Sequence, residues 1–355
     1  VVRDIFTKFG LDVTFMAKPF DGVAGSGEHT HIGLAAKLKN GKVVSIFAPR
    51  DMKKDFMSPL GFGALMGILK NYEVINPFIS ASNDSLNRLK PGYEAPVCIV
   101  TSLGRGVDKP SRNRTVLVGL IRETENPMAT RFELRAPSPK SNTYLVLATA
   151  YMALADGIKH ILAAEKTPGE LEKSLSKSYG TEDFYLEKYR EYRSEEDVFV
   201  FYSEDDREKL FGKAPATVWE NLKAFDLNPE KVAILKAGNV IGDKILESYR
   251  AQILSQWKLE LHDRLIPTTM DFVRSCRKKH SDDDFSDYDI KNWIAIDKIR
   301  HEIGKDTITE KCLLTRAKEA LDNEEYEKAS EIQLEIKTKV AALTALYDVY
   351  KKNLL

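Results

Sequence analysis

The stretch GSGEHTHIGL, residues 25–34, joins a glycine-rich turn to a short β-type run that carries two of the chain's six histidines. Successive side chains of a strand point to opposite faces, so His29, His31 and Gly33 share one face. Gly25 and Gly27 let the backbone approach a ligand closely. An imidazole beside such a turn suits a divalent cation or a phosphate group. The alternative is a half-buried strand with two solvated histidines.

RFELR, the second strand-like run of this kind, places Arg131, Glu133 and Arg135 on one face and two apolar side chains on the other. A carboxylate between two guanidinium groups stays ionised over a wide pH range, because neighbouring positive charge favours its charged form. This pattern suits a metal ligand flanked by groups that hold anionic substrates. An ion ladder on an exposed strand is the alternative.

NRLKPGYEAP, residues 87–96, places Arg88 and Glu94 around a Pro-Gly turn. Loops on a rigid scaffold often carry catalytic groups, and a carboxylate there can take a proton from an incoming nucleophile. Glu94 could equally cap a neighbouring strand or helix.

SRNRTVLVGLIR contributes Arg112, Arg114 and Arg122, whose fixed paired donors suit phosphoryl oxygens. Together with the histidine and glutamate strands, these arginines favour metal-assisted phosphoryl transfer. In that chemistry, positioning and charge neutralisation supply most of the catalysis.

The overall composition and charge favour no particular class of partner, so any function that depends on charge must be local. The chain has 355 residues, 43% of them hydrophobic, which is enough for a large core or several cooperating units. Lys plus Arg and Asp plus Glu both number 53, so no overall charge favours nucleic acid or an anionic membrane. The three cysteines lie far apart without a CxxC spacing, which fits a reducing cytoplasm and argues against structural zinc or disulfides.

The pattern along the chain predicts an α+β fold with a helical C-terminal part. We expect a helix that ends at Gly10, a helix over 61–79 that ends near Pro77, and a buried core helix over 144–164 whose apolar run is too short to span a bilayer. Residues 166–215 are predicted to be surface helices and loops, or alternatively a binding arm. The predicted β-rich runs are DVTFMAKPF, HTHIGLAAKL, GKVVSIF, PVCIVTS, NRTVLVGLI and TRFELRA.

Towards the C-terminus, residues 277–289 have the mixed charge of a linker. Helical patterns over about 289–304 and 307–352 predict an antiparallel hairpin or small bundle. The apolar stripe of the last helix comprises Ile332, Ile336, Val340, Leu343 and Leu346.

Five ordered blocks resemble the glutamine synthetase family, in the C-terminal part of its catalytic domain. The blocks are FMAKPFDGVAGSGEHTHIGL, NRLKPGYEAPV, SRNR, RFELRAPSPKSNTYL and YMALADGIKH. Weaker similarity extends to about residue 275, with an insertion around 166–215, and 276–355 is a helical extension. The resemblance implies a glutamine synthetase/guanidino kinase-like fold, an antiparallel sheet with helices.

The resemblance also implies an activity and an assembly. The activity is the ligation of ammonia to glutamate with ATP, through γ-glutamyl phosphate and with Mg²⁺ or Mn²⁺. The assembly is a cytoplasmic, ring-type homo-oligomer. It assigns His29 and Glu133 as metal ligands. It assigns His31, Arg122 and Arg131 to the nucleotide.

Carried over in the same way, Gly25, Arg88 and Arg135 correspond to glutamate-binding groups. Arg114 resembles the group that steadies the transferring phosphoryl group. Glu94 resembles a flap carboxylate that helps to deprotonate ammonium.

The chain departs from the family pattern at several places. Ala24 stands where the family usually has asparagine, and Gly119 stands where it has a phosphate-binding arginine, for which Arg122 is the nearest replacement. The family's remaining glutamate ligands and its N-terminal domain lie upstream of the GSG block, and residues 1–24 offer no counterpart. We therefore expect the parent protein to be a glutamine synthetase and this polypeptide by itself to be inactive.

Two other functions remain open at this stage. A relative could ligate glutamate to polyamines or other amines, and the substitution at Ala24 keeps that option open. The second alternative is a non-catalytic scaffold protein with the same fold. The retained His29, Glu94, Arg114 and Glu133 weigh against a scaffold, which has no physical need for them.

Overall fold

The computed structural model describes residues 1–20, 22–91, 96, 98–281, 283 and 285–352. The chain forms two compact units. One contains Val1–Pro215 and Asn221–Glu247, and the other contains Ala216–Glu220 and Ser248–Leu355. The division at residue 248 comes before the boundary at 275/276 that the family resemblance suggested.

The first unit contains a four-stranded sheet with the order β1-β8-β7-β4 and two small two-stranded sheets, β2-β3 and β5-β6. Strand β8 pairs antiparallel with both β1 and β7, whereas β4 pairs parallel with β7. The main sheet is therefore mixed and not purely antiparallel as expected. The strands are β1 Thr30–Ile32, β2 Ala35–Lys37, β3 Val43–Ser45, β4 Cys98–Ser102, β5 Gly104–Gly106, β6 Lys109–Pro110, β7 Val116–Glu123 and β8 Asn126–Leu134.

Helices account for most of the remaining regular structure. They are α1 Val2–Thr7, α2 Pro59–Lys70, α3 Tyr72–Ile79, α4 Asn83–Leu86, α5 Thr143–Ala164, α6 Pro168–Leu175, α7 Val198–Phe201, α8 Glu204–Phe211, α9 Val218–Leu227, α10 Pro229–Lys236, α11 Asp243–Glu260, α12 Ile266–Ser275, α13 Asp287–Gly304, α14 Leu313–Asp322 and α15 Tyr326–Lys352. Short 3-10 turns cover Asn87–Leu89 and Ala237–Asn239, and a π-helical turn covers Leu261–Leu265.

Helices α2 and α5 pack backbone to backbone in the core of the first unit. A Cβ added to Gly157 would lie 1.9 Å from the carbonyl oxygen of Gly63, and one added to Gly67 would lie 2.1 Å from that of Ala153. Real Cβ contacts are much longer, so glycine is required where the two helices cross. By length and composition alone α5 could cross a membrane, because it has 22 residues and an 18-residue window with a mean hydropathy of 1.4. Its packing on α2 instead identifies it as the predicted core helix.

The helix expected over residues 61–79 is two helices, because the chain breaks at Asn71. Pro77 lies inside α3, which ends at Ile79, two residues beyond the proline near which the end was expected. The first helix ends at Thr7, and a turn follows to Gly10.

Residues 12–20, predicted as a β-type run, form no strand in the part of the chain that the structure describes. Their backbone groups bond elsewhere. The Ala17 N–H donates to Asp84 Oδ2 at 2.6 Å, and the Ala17 carbonyl accepts from the Ser26 N–H at 2.7 Å. This segment therefore anchors the glycine-rich turn instead of joining a sheet.

Residues 166–215 are not confined to the surface, as the sequence had suggested. Tyr192 and Phe211 are fully buried. The Thr101 N–H donates to the Tyr192 carbonyl at 2.8 Å, and the Ser194 N–H donates to the Thr101 carbonyl at 2.9 Å. Extended backbone from this segment thus adds to the edge of β4, where its tyrosines complete the core.

The second unit is helical, with α13, α14 and α15 packed on one another. The pattern expected over 307–352 breaks at Asn323–Glu325, where Glu324 adopts a positive φ of 59°, so three helices replace the predicted two. In the predicted stripe Ile332 and Leu343 are buried, whereas Leu346 is exposed. The proposed linker begins in contact with the bundle, because the Arg277 N–H donates to the Tyr347 hydroxyl at 3.1 Å.

Candidate active site

His29 and Glu133 meet on one face of the main sheet. Strands β1 and β8 pair so that His31 lies directly opposite Glu133. The Nδ1 atom of His29 lies 2.8 Å from Oε1 of Glu133. The alternation within each strand predicted this shared face, and the cross-strand register brings the two side chains into contact.

His31 has a different partner. The Arg131 Nε donates to His31 Nδ1 at 2.9 Å, and the Arg131 Nη1 donates to the Ala129 carbonyl at 2.8 Å. The two histidines are therefore held separately, one against a carboxylate and the other against a guanidinium group. The two side chains are therefore in different surroundings although only one residue separates them.

Arg135 fixes the position of the carboxylate from its other side. Its Nη1 donates to Glu133 Oε1 at 3.0 Å, and its Nε donates to the Arg114 carbonyl at 3.1 Å. The exposed fraction of the side chain rises from 8% for Arg135 to 18% for Glu133 and 38% for His29. The cluster therefore has a buried cation at its base and an accessible imidazole at its mouth.

The electrostatic surroundings favour the neutral form of His29. Burial lowers the pKa of the imidazole, and the nearby charge of Arg135 lowers it further, although the hydrogen bond to Glu133 acts in the opposite direction. The neutral ring keeps a nitrogen lone pair, which metal coordination requires.

The glycine-rich turn packs against protein atoms at close range. A Cβ added to Gly27 would lie 2.4 Å from Arg88 Nη2 and 3.0 Å from the His29 ring. A Cβ added to Gly25 would lie 3.0 Å from the Ala17 carbonyl oxygen and 3.2 Å from Arg88 Cγ. The sequence predicted that these glycines allow close approach to a ligand. In the structure they admit Arg88 and shape the turn around His29.

Arg88 is buried below this turn. Its Nη1 donates to the carbonyls of Ala136 and Pro137, at 2.9 and 3.0 Å, and its Nη2 donates to the carbonyl of Arg135 at 3.3 Å. These bonds tie the turn to the chain that follows β8. Arg88 thus supports the cluster from beneath.

A cavity of about 500 Å³ opens beside the cluster. Its walls include His29, Glu133, Arg114 and Gly119. Gly119 lies opposite Glu133 in the pairing of β7 with β8, and a Cβ added to it would meet no atom within 4 Å. The cavity therefore has open space beside Gly119, and Arg114 is one of the residues that line it.

Arg122 does not join this cluster. It lies on the opposite face of β7 from Gly119, with its side chain buried. Its Nη1 donates to the carbonyls of Asp55 and Phe56, at 2.8 and 3.0 Å, and its Nη2 bonds to the carbonyl of Met52. The structure thus uses Arg122 to hold residues 52–56, and it does not place Arg122 at the predicted nucleotide site.

The turn that carries Arg114 is rigid, a feature that the sequence analysis missed. Asn113 Oδ1 accepts from the N–H and the hydroxyl of Thr115, at 2.9 and 2.7 Å, and its Nδ2 donates to the Glu196 carbonyl at 2.6 Å. Asparagine in this position closes an Asx turn, so the SRNR segment itself contained the signal. The bonding leaves Arg112 and Arg114 pointing outward.

The donor set fits part of a Mg²⁺ or Mn²⁺ site. Such ions take a few protein ligands and complete their shell with water and substrate phosphates, and an imidazole with a carboxylate is a suitable start. No group of three or more His, Cys, Asp or Glu residues able to hold a metal occurs among the described residues. Glu94, the predicted proton acceptor, lies outside the described residues.

The chain is similar in sequence to known glutamine synthetases. Residues 1–178 match the family model for the glutamine synthetase catalytic domain. The glutamine synthetase of Escherichia coli (strain K12) is 31% identical over 252 residues, which cover 71% of this chain and 44% of the relative. That of Clostridium saccharobutylicum is 29% identical over 270 residues, which cover 74% of this chain and 49% of the relative.

A cryo-EM structure of Plasmodium falciparum glutamine synthetase aligns with a TM-score of 0.49 at 23% identity, covering 72% of this chain and 48% of that one. The chain spans about half the length of the curated relatives that it matches. The family match covers half of the chain, and the chain therefore belongs to the glutamine synthetase family.

Proposed function

We propose that this chain forms part of a ligase that joins ammonia to glutamate at the expense of ATP, through γ-glutamyl phosphate. One observation carries the proposal beyond family membership: His29, Glu133 and Arg135 converge across β1 and β8 beside an open cavity. The combination of a neutral imidazole, a carboxylate and a fixed guanidinium group suits the binding of a divalent cation next to anionic substrates.

In this proposal His29 and Glu133 hold Mg²⁺ or Mn²⁺. When bound, the ion neutralises charge on the phosphate oxygens of ATP. Arg131 and His31 face the same phosphates. Arg135 binds a carboxylate of glutamate while it holds Glu133 in place.

The remaining groups act on the transferring atoms. A γ-carboxylate oxygen of glutamate attacks the terminal phosphorus of ATP, and ADP leaves. Arg114 stabilises the charge of the phosphoryl group during this transfer. Ammonia then attacks the acyl carbon and phosphate departs, while Glu94 accepts the proton that ammonium must lose. Gly25, supported by Arg88, shapes the glutamate pocket.

We further propose that the active protein is a cytoplasmic, ring-type homo-oligomer, as is usual in the family. The described residues supply two candidate protein ligands, whereas the family resemblance implies further glutamate ligands. We expect this polypeptide alone to show no turnover, and a longer protein that contains it to be active.

Formation of γ-glutamyl hydroxamate from glutamate, hydroxylamine, ATP and Mn²⁺ tests the proposal on both proteins. The longer protein should lose at least 100-fold in kcat when His29 is replaced by alanine. An active longer protein that tolerates His29→Ala would remove the metal role of His29. Appreciable turnover by the present chain would refute the requirement for further ligands.

A further inference from the structure

A second cavity, of about 560 Å³, shares the turn 111–114 with the candidate active site. Its other walls are the hairpin of β5 and β6 and the segment that carries Glu195 and Asp197. His29, Glu133 and Arg135 do not line it. The volume lies in the usual range for small-molecule sites, roughly 300–1,000 Å³.

The hairpin that forms one wall depends on a close backbone approach. Gly104 has a φ of +110°, and a Cβ there would lie 2.2 Å from the carbonyl oxygen of Lys109. In the pairing of β5 with β6, Gly104 lies opposite Pro110, and Gly106 lies opposite Lys109. The hairpin therefore depends on glycine at position 104, and Lys109 is among the residues that line the cavity.

Both carboxylates that line the cavity accept hydrogen bonds from other groups of the chain. Glu195 accepts from the backbone N–H groups of Leu103 and Gly104, at 3.1 and 2.9 Å, and from Arg193 Nε at 2.8 Å. These contacts outweigh burial and lower the pKa of Glu195, so it stays ionised and bound to its partners.

Asp197, the other carboxylate, caps the start of α7. Its Oδ1 accepts from the N–H groups of Phe199 and Val200, at 2.9 and 3.3 Å. These bonds hold both carboxylates towards other partners, and the four basic side chains that line the cavity outnumber the two acidic ones.

Those basic side chains are Arg105, Lys109, Arg112 and Arg114. Arg105 pairs with Glu196 at 2.8 Å. Within the part of the chain that the structure describes, the exposed side chains of Lys109 and Arg112 form no ion pair. The cavity thus has an excess of positive charge at its rim, with two cations that a ligand could use.

We propose that this cavity binds a small polyanion, a compound with at least two negative charges carried by phosphate or carboxylate groups. Lys109 and Arg112 supply the charge, and guanidinium groups suit both kinds of oxygen. Because Arg112 and Arg114 also line the candidate active site, occupancy of the second cavity is coupled to the arginine that faces the phosphoryl group. Such coupling is reciprocal, so each ligand changes the affinity of the other by the same factor.

Isothermal titration calorimetry of this chain at low ionic strength tests the binding, which does not depend on the proposed ligase activity. Pyrophosphate is the probe in one arm and citrate in the other. Wild type should bind at least one probe, and Lys109→Glu should weaken that binding at least tenfold. Lys39→Glu is a matched charge reversal on the exposed turn between β2 and β3, and it should leave the affinity unchanged.

Arg135→Gln distinguishes the two cavities. If the probe occupies the candidate active site, Arg135→Gln weakens binding and Lys109→Glu does not, and the proposal is wrong. Failure of both probes to bind also overturns it. Binding of pyrophosphate alone identifies a phosphorylated ligand, whereas binding of both probes identifies a general polyanion site.

A second readout guards against misfolding of the variant. Acetylation of Lys109 in the wild-type chain, mapped by mass spectrometry, should slow at least fivefold when the probe is bound, while acetylation of Lys39 should not change. Equal rates with and without the bound probe would contradict the proposed site.

Discussion

Replacement of Glu133 by alanine should lower the free energy of unfolding by about 2 kcal/mol. The Glu133 carboxylate contacts His29 at 2.8 Å and Arg135 at 3.0 Å. A hydrogen bond to a charged group contributes about 1.5–3 kcal/mol, and the Arg135 guanidinium, only 8% exposed, would lose its charged partner. Partial exposure of Glu133, at 18%, keeps the expected loss near the lower end of that range.

Glu133→Gln separates shape from charge. The amide oxygen can still accept from Arg135, so the loss of stability should fall to about 1 kcal/mol. Urea unfolding followed by far-ultraviolet circular dichroism measures both variants. Glu125→Gln, an exposed change in the turn between β7 and β8, is the control and should stay within about 0.5 kcal/mol of wild type. If Glu133→Ala behaved like the control, the reasoning about this cluster would be refuted.

Three further substitutions test the scaffold. Gly157→Ala should destabilise the chain by about 3 kcal/mol in urea unfolding, because its Cβ would overlap the backbone of α2, whereas Gly169→Ala, with open space around it, should change little. Burial alone would raise the pKa of Glu73, but Arg190 and Lys231 hold that pKa below its usual value of 4.5. The ionised Glu73 should therefore stabilise the fold above pH 4.5, and this contribution should be lost as the pH falls through the lower pKa of the folded state. Glu73→Gln should lack this acid dependence and be about 2 kcal/mol less stable at pH 7. Gly119→Ala should leave stability unchanged or raise it by up to about 1 kcal/mol, and a clear loss of stability would contradict the open space beside β7.

Much of the candidate site could be predicted from the sequence because strand alternation is a local property. The period of two placed His29 and Glu133 each on the polar face of its own strand. This alternation could not predict which residues of β1 and β8 lie opposite one another, because that register depends on how the two strands pair. Arg122 and Gly119 are three residues apart in β7, and an odd separation puts two side chains on opposite faces of a strand. The sequence could therefore have predicted that Arg122 lies on the opposite face from Gly119.

Other differences arose from tertiary contacts. Residues 12–20 have the composition of a strand, yet Ala17 bonds to Asp84 and to Ser26 of the glycine-rich turn instead of joining a sheet. Tyr192 lies in a charged segment and is fully buried, because its backbone extends the edge of β4. The excess of basic side chains around Lys109 could not be predicted, because it depends on how the β5–β6 hairpin and the turn 111–114 fold around one cavity.

Binding of Mn²⁺ to this chain, followed by electron paramagnetic resonance of the free ion, tests most directly whether His29 and Glu133 share a divalent cation. We expect weak binding by wild type, and a loss of affinity of at least tenfold in both His29→Ala and Glu133→Gln. Glu125→Gln should bind like wild type. If either His29→Ala or Glu133→Gln retained wild-type affinity, His29 and Glu133 would not be ligands of a common divalent cation.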